Sequence, residues 1–129
     1  MNPLLASKAR SLLRALRNAQ PGIEGCALIS SDGRVMASAL GEGTDPDRFG
    51  AMCAALLALS ARAAAEAQRG QLQQLILEGS AGPMLLTQAG RCGVLAVAAA
   101  SDCPLGRLIL DAKSCAQALG TLLDAPPRA

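Results

Sequence analysis

Apolar residues recur along this chain in two periods, and the switches between them mark out eight segments. From Pro3, the residues Leu5, Ala9, Leu12, Leu13 and Leu16 keep helical spacing. Asn2 can cap that helix and Pro3 suits its first position. Arg10, Arg14 and Arg17 form a stripe on the other side, read either as a solvated face or as a surface for an acidic partner. The helix should stop before Gln20-Pro21-Gly22. The stretch CALISSDGRVMASAL, residues 26–40, runs apolar, polar, apolar. It predicts two strands, about 25–30 and 35–40. Asp32-Gly33 would sit at the centre of a two-residue turn, where positive φ is needed.

The loop GEGTDPDR leads into a second helix, about 46–68. Thr44 or Asp45 can cap it, Pro46 and Asp47 fit its first turn, and Gly70 is the expected left-handed stop. Three apolar stretches follow: QLQQLILEG, GPMLLTQAG and GVLAVAAAS. Their links are short and glycine-rich, so they should form an antiparallel meander. The last is apolar throughout, as a strand buried on both faces must be. After the breaker SDCPLG, a final helix shows Leu105, Leu108, Ile109, Ala112, Ala116, Leu119 and Leu122 on one face. DAPPRA, residues 124–129 with Ala125 to Ala129 after Asp124, reads as a frayed tail.

The second helix departs from the amphipathic norm. AMCAALLALSARAAAEA has almost no polar face before Arg62. Phe49, Met52, Leu56 and Leu59 lie near one side, Cys53, Leu57 and Ala64 near another. A helix apolar all round must be covered on more than one side. A small sheet covers one. Either the terminal helices of the same chain cover the rest, or a second copy of the chain does.

Composition narrows the chemistry. The 129 residues are one domain's worth, with a core expected over 3–123. Phe49 is the only aromatic, so Leu, Ala, Val, Ile, Met and Cys must build that core. The net charge of +2 is too balanced to argue for nucleic acid or a membrane surface, and base stacking is excluded. The N-terminal segment interleaves Lys8, Arg10, Arg14 and Arg17 with its leucines, so it forms no signal-peptide core. The apolar run of the second helix stops at Arg62, short of a membrane span. These features together predict a cytoplasmic protein. Cys26, Cys53, Cys92, Cys103 and Cys115 are odd in number, show no CxxC spacing and have no histidine to assist them. No metal and no cofactor is expected, and the thiols read as reduced, mostly buried hydrophobes. Without histidine or tyrosine, and with no paired carboxylates, an enzyme is not expected either.

The order of segments, with the stretches PGIEGCALISSDGRVMASAL, GQLQQLILEG, GRCGVLAVAA and LGRLILDAKSCAQAL, resembles the Roadblock / dynein light chain family. That family includes the bacterial gliding-motility B protein, a partner of a Ras-like GTPase. The resemblance runs from about residue 3 to 123. It implies an α+β fold, αββαβββα, with a five-stranded antiparallel sheet flanked by helices as in profilin and longin domains. It also implies a single domain over 1–129 and a bacterial homodimer that joins two sheets and sets the second helices side by side. The dimer contacts would then be Phe49, Met52, Cys53, Leu56, Leu57 and Ser60. The implied function is non-catalytic: regulation of, or an adaptor role for, a small Ras-like GTPase, with GTPase activation included. Partner contacts would be Arg48, Arg62, Glu66 and Arg69, and one of the arginines could stabilise phosphoryl-transfer charge. The other reading of the same residues is a small-ligand sensor or scaffold module. Its polar groups would come mainly from Ser30, Thr87 and Gln88.

Overall fold

The computed structural model describes residues 2–41 and 43–125; Glu42 and residues 126–129, most of the expected tail, lie outside the described residues. Helix α1 spans Pro3–Ala19, followed by strands β1 (Ile23–Ser30) and β2 (Val35–Ala39). Helix α2 spans Pro46–Glu66. Strands β3 (Gln74–Gly79), β4 (Gly82–Ala89) and β5 (Gly93–Ala99) follow, and α3 (Leu105–Asp124) closes the chain. The order is αββαβββα, as the periodicity predicts. The starts of α1 and α2 are set by side chains, whereas α3 begins after Pro104 with no side-chain cap. The Asn2 carboxamide accepts the Leu5 N–H at 2.8 Å. Of the two candidate caps of α2, Asp45 does the work, accepting the Asp47 N–H at 3.1 Å.

The five strands form one antiparallel sheet in the order β2-β1-β5-β4-β3. Alternation along the central strands feeds two cores. Cys26 and Leu28 of β1 and Leu95, Val97 and Ala99 of β5 join Leu13, Leu16, Leu108 and Leu119 beneath α1 and α3. Ala27, Ile29, Val94 and Ala96 turn the other way, toward Cys53 of α2. β5 is apolar at every position because both of its faces are covered. α1 lies over β1 and β2, and α3 over β4 and β5, on one face. On the opposite face α2 alone packs, chiefly on β1 and β2.

Two turns differ from the sequence reading. The first hairpin loop holds three residues, Ser31 to Gly33, because Ser30 N–H donates to the Arg34 carbonyl at 2.8 Å. Gly33 has φ +94°, whereas Asp32 is not left-handed. Gly33 N–H closes the turn onto the Ser30 carbonyl at 2.9 Å. This is the longer hairpin solution, a tight turn followed by one left-handed glycine. The second difference is the stop of α2. Gln68, at φ 58°, takes the left-handed position ahead of Gly70. Gln68 N–H donates to the Ala65 carbonyl and Arg69 N–H to the Ala64 carbonyl, which completes a Schellman cap.

The Asp32-Gly33 turn has a structural task. A Cβ added at Gly50 would lie 2.6 Å from the Gly33 carbonyl oxygen, and one at Gly33 would lie 3.1 Å from Ala51 Cα. The second turn of α2 therefore rests backbone to backbone on the hairpin. Two expectations follow for urea unfolding. Gly50→Ala should lower stability by about 1–3 kcal/mol, because only backbone can give way. Gln68→Gly should raise it by about 0.5–1 kcal/mol by relieving a left-handed residue that carries a Cβ.

Candidate functional site

The apolar helix α2 defines the surface of interest. The expectation that this helix falls short of a membrane span is corrected: its 21 residues tolerate Arg62 and are long and apolar enough, by length and composition, to cross one, with only 17% of the most apolar stretch buried. The inward side is settled. Cys53 is 2% exposed, and Phe49, Leu56 and Leu57 are half-buried against the cluster of Ala27, Ile29, Leu86, Val94 and Ala96. Cys53, one of the expected dimer contacts, has its side chain already enclosed by its own sheet. Phe49, Leu56 and Leu57 have only part of their surface left to offer. Ser60 is half-buried. The outward face carries Met52, 57% exposed, and Leu59, 63% exposed, with exposed Ala55 between them. Met52 was in the expected set; Leu59 and Ala55 were not. Helical spacing puts Leu59 two turns from Met52 on the same side, and it could have been found by asking which leucines the sheet cannot reach.

The expected partner contacts do not form one cluster. Arg48, Arg62, Glu66 and Arg69 are all exposed. Arg48 lies in the first turn of α2, and Arg62 follows about 21 Å along the axis. Glu66 and Arg69 are near Arg62 at the C-terminal end. The Arg69 Nε donates to the Ala67 carbonyl at 3.1 Å, which ties this arginine to the helix stop.

Beside α2 the same sheet face opens toward its outer strand β3, although Leu86 of β4 is enclosed. Leu77 of β3 is 43% exposed there. A cleft of about 540 Å³ runs between the C-terminal half of α2 and the sheet. Leu57, Ala58 and Ala61 line one wall, and Gln73, Gln88 and Arg91 stand on the other. Of the polar strand positions named from the sequence, Gln88 reaches this cleft. Thr87 points to the opposite face, where its hydroxyl donates to the Gln73 carbonyl at 3.4 Å. Ser30 is spent within the hairpin turn. Its hydroxyl donates to the Asp32 carboxylate, and its oxygen accepts the Arg34 N–H at 3.1 Å. That hydroxyl, and then the turn's own N–H groups and Arg34, hold the Asp32 carboxyl below the usual carboxylate range. Asp32 thus has turn partners and no catalytic ones.

The chain matches known proteins in sequence and in fold. The family model of the Roadblock/LC7 domain matches residues 10–99. Two uncharacterised proteins of Methanocaldococcus jannaschii, MJ1340 and MJ0310, are each 35% identical, over 78% and 77% of this chain and 87% and 86% of theirs. Among solved structures, Myxococcus xanthus MglB superimposes with a TM-score of 0.89 at 18% identity, covering 100% of this chain and 97% of that one. An MglB structure with a tetrameric arrangement gives 0.84 at 19% identity, over 95% and 92%. Acanthamoeba castellanii profilin II gives 0.64 at 14% identity, over 86% and 95%. The fold is thus the profilin-like α+β arrangement expected from the sequence.

The thiols divide sharply. Cys26, Cys53, Cys103 and Cys115 are buried, whereas Cys92 is exposed at the rim of the cleft. Cys26 Sγ donates to the Leu13 carbonyl at 3.4 Å and Cys115 Sγ to the Leu12 carbonyl at 3.7 Å, so both thiols bind α1. Burial pushes Cys26 and Cys53 up to about 11 and Cys115 up to about 12, from an ordinary 9.0. In the unfolded chain these thiols ionise near 9.0, while in the native chain they stay protonated. The native state then holds more protons, so stability should fall as pH rises from about 9 toward 11 to 12. Denaturation midpoints across that range check it. A thiol reagent at neutral pH should label Cys92 quickly and the four buried thiols only after unfolding.

Proposed function

Because the chain belongs to the Roadblock/LC7 domain family, we propose that it is a homodimeric regulator or adaptor of a small Ras-like GTPase. The observation that carries the proposal is the uncovered outward face of α2. Met52, Ala55 and Leu59 form an apolar stripe with no element of the described residues over it. Such a stripe on a water-facing helix calls for a partner surface. A second copy is the economical one, since small alanines let two helices approach closely. The outer strand β3 adds a second opportunity. It has a free edge, Glu78 is its only charge, and edge strands without protective charges invite strand pairing. The tetrameric MglB arrangement among the similar structures supports self-association in this fold.

The regulatory half of the reading rests on family membership and on the exposed arginines. Two α2 helices set side by side in antiparallel fashion would bring Arg48 of one copy near the Arg62, Glu66 and Arg69 end of the other. Charges that are far apart within one chain would then form two composite sites per dimer. An arginine from such a site could stabilise charge on a transferring phosphoryl group, or the dimer could reposition groups of the GTPase itself. The chain is in either case a regulator acting on another protein's chemistry, in a cytoplasmic setting.

The test is the solution mass by light scattering over a concentration series, with two variants. The parent chain should be a dimer at micromolar concentration. Leu59→Arg should weaken the dimer by at least about a hundredfold, since a charge would be buried unpaired in the interface, yet leave the monomer folded. Leu57→Arg should damage the monomer as well, because Leu57 packs on its own sheet. A chain that stays monomeric at all concentrations would overturn the reading. The cleft beside α2 would then lead, tested by ligands that raise the melting temperature.

A further inference from the structure

The outer face of α1 carries a charge pattern that the fold does not need. Lys8, Arg10, Arg14 and Arg17 are all exposed, and α1 contains no acidic residue. Arg10, Arg14 and Arg17 follow i, i+4, i+7 spacing, so they stand in one line about 10 Å long. Like charges at those spacings destabilise a helix. Only Arg17 lies in the last turn, where the helix dipole favours a cation. None of the four makes an ion pair among the described residues; the ion pair there is Arg107–Asp111, at 3.5 Å. Asp111, on the neighbouring helix, is further occupied by the Gln20 carboxamide at 2.9 Å. The stripe is therefore a cost to the helix that no internal contact offsets.

The charge of the whole chain is polarised in the same sense. α1 and α3 together hold six cations and two carboxylates, net +4, so the rest of a chain of net +2 carries −2. The positive layer lies on the sheet face opposite α2. Self-association through α2 or β3 would leave it open.

We propose that the Arg10–Arg14–Arg17 stripe is a docking site for a carboxylate-rich helical segment of a protein partner. Guanidinium groups favour paired contacts with carboxylates, and glutamates at i, i+4 and i+7 of a facing helix repeat the arginine spacing. A membrane fits less well. Between the arginines the face carries Ser7, Ser11, Ala15 and Asn18, and Leu4 is the one large apolar side chain exposed on α1. Adsorption to a bilayer needs an apolar face to insert. An extended nucleic acid fits less well too, because its phosphates beyond the short stripe would meet the net negative remainder of the chain. This proposal does not rest on the GTPase reading, and the α2 variants leave it untouched.

Fluorescence anisotropy of a labelled helical peptide with glutamates at i, i+4 and i+7 tests it, on the full chain at low salt. Saturable binding that weakens with added salt is expected. The triple variant Arg10→Glu, Arg14→Glu, Arg17→Glu should lose at least tenfold in affinity, while Arg34→Gln, off the stripe, should bind as the parent does. The triple Arg→Gln variant gives the same readout should charge reversal disturb folding. Its melting temperature should equal or exceed that of the parent, which a structural role for the stripe would not allow. Equal loss in Arg34→Gln, no binding by the parent, or a drop in melting temperature on neutralising the stripe would overturn the proposal. So would tighter, stripe-dependent binding of phosphatidylserine vesicles or duplex DNA than of the peptide.

Discussion

A sheet whose central strand is apolar on both faces must be covered twice, and this chain has enough helix to cover it fully only once. α1 and α3 close one face from β2 to β4. The other face has α2 alone, seated over β1 and β2. The outer strand of that face, with Leu77, and the outer side of α2 itself are left to water. Burial of apolar area is the main favourable term in folding and association, so this asymmetry organises the molecule. It makes α2 a helix that is bound to its own sheet on one side and unfinished on the other. The apolar outer face and the adjoining cleft are two views of the same missing layer.

The seating of α2 explains why the first hairpin looks as it does. A helix that must lie close to a turn needs both backbones bare at the point of approach, and Gly33 and Gly50 provide that. The aspartate beside Gly33 satisfies the turn with Ser30 and does nothing further. The hairpin turn is the bearing on which α2 rests. At its other end, α2 stops on Gln68 in a strained conformation, so the helix is fixed at both termini by local geometry.

The two faces of the sheet also differ in kind. One is apolar and incomplete; the other is covered by two helices, of which α1 carries a stripe of cations. A protein that links partners gains from such a division, because apolar burial and charge pairing respond differently to salt and to concentration. An apolar side and a charged side can then be occupied together without competing for surface.

Much of this was written in the linear pattern. Helical spacing in α1 and α3, the unbroken apolar run of β5 and the caps at Asn2 and Asp45 are local properties. They depend on neighbours three or four residues away, and a sequence displays those directly. So did the anomaly of α2, whose excess of apolar residues could be counted before any packing was known. Which of those residues face inward was decided by tertiary structure alone. Cys53 and Leu59 are both apolar and six positions apart, yet one is enclosed and the other bare, because only docking against β1 and β2 fixes the rotation of a helix with no polar face to orient it. The same holds for the turns. Asp32-Gly33 carries the signature of a two-residue loop, but the register of β1 against β2 and the approach of Gly50 select a longer one. The sequence determined the elements, the core composition and the unbalanced apolar helix. Long-range packing determined which face of that helix the protein buries and which it leaves exposed.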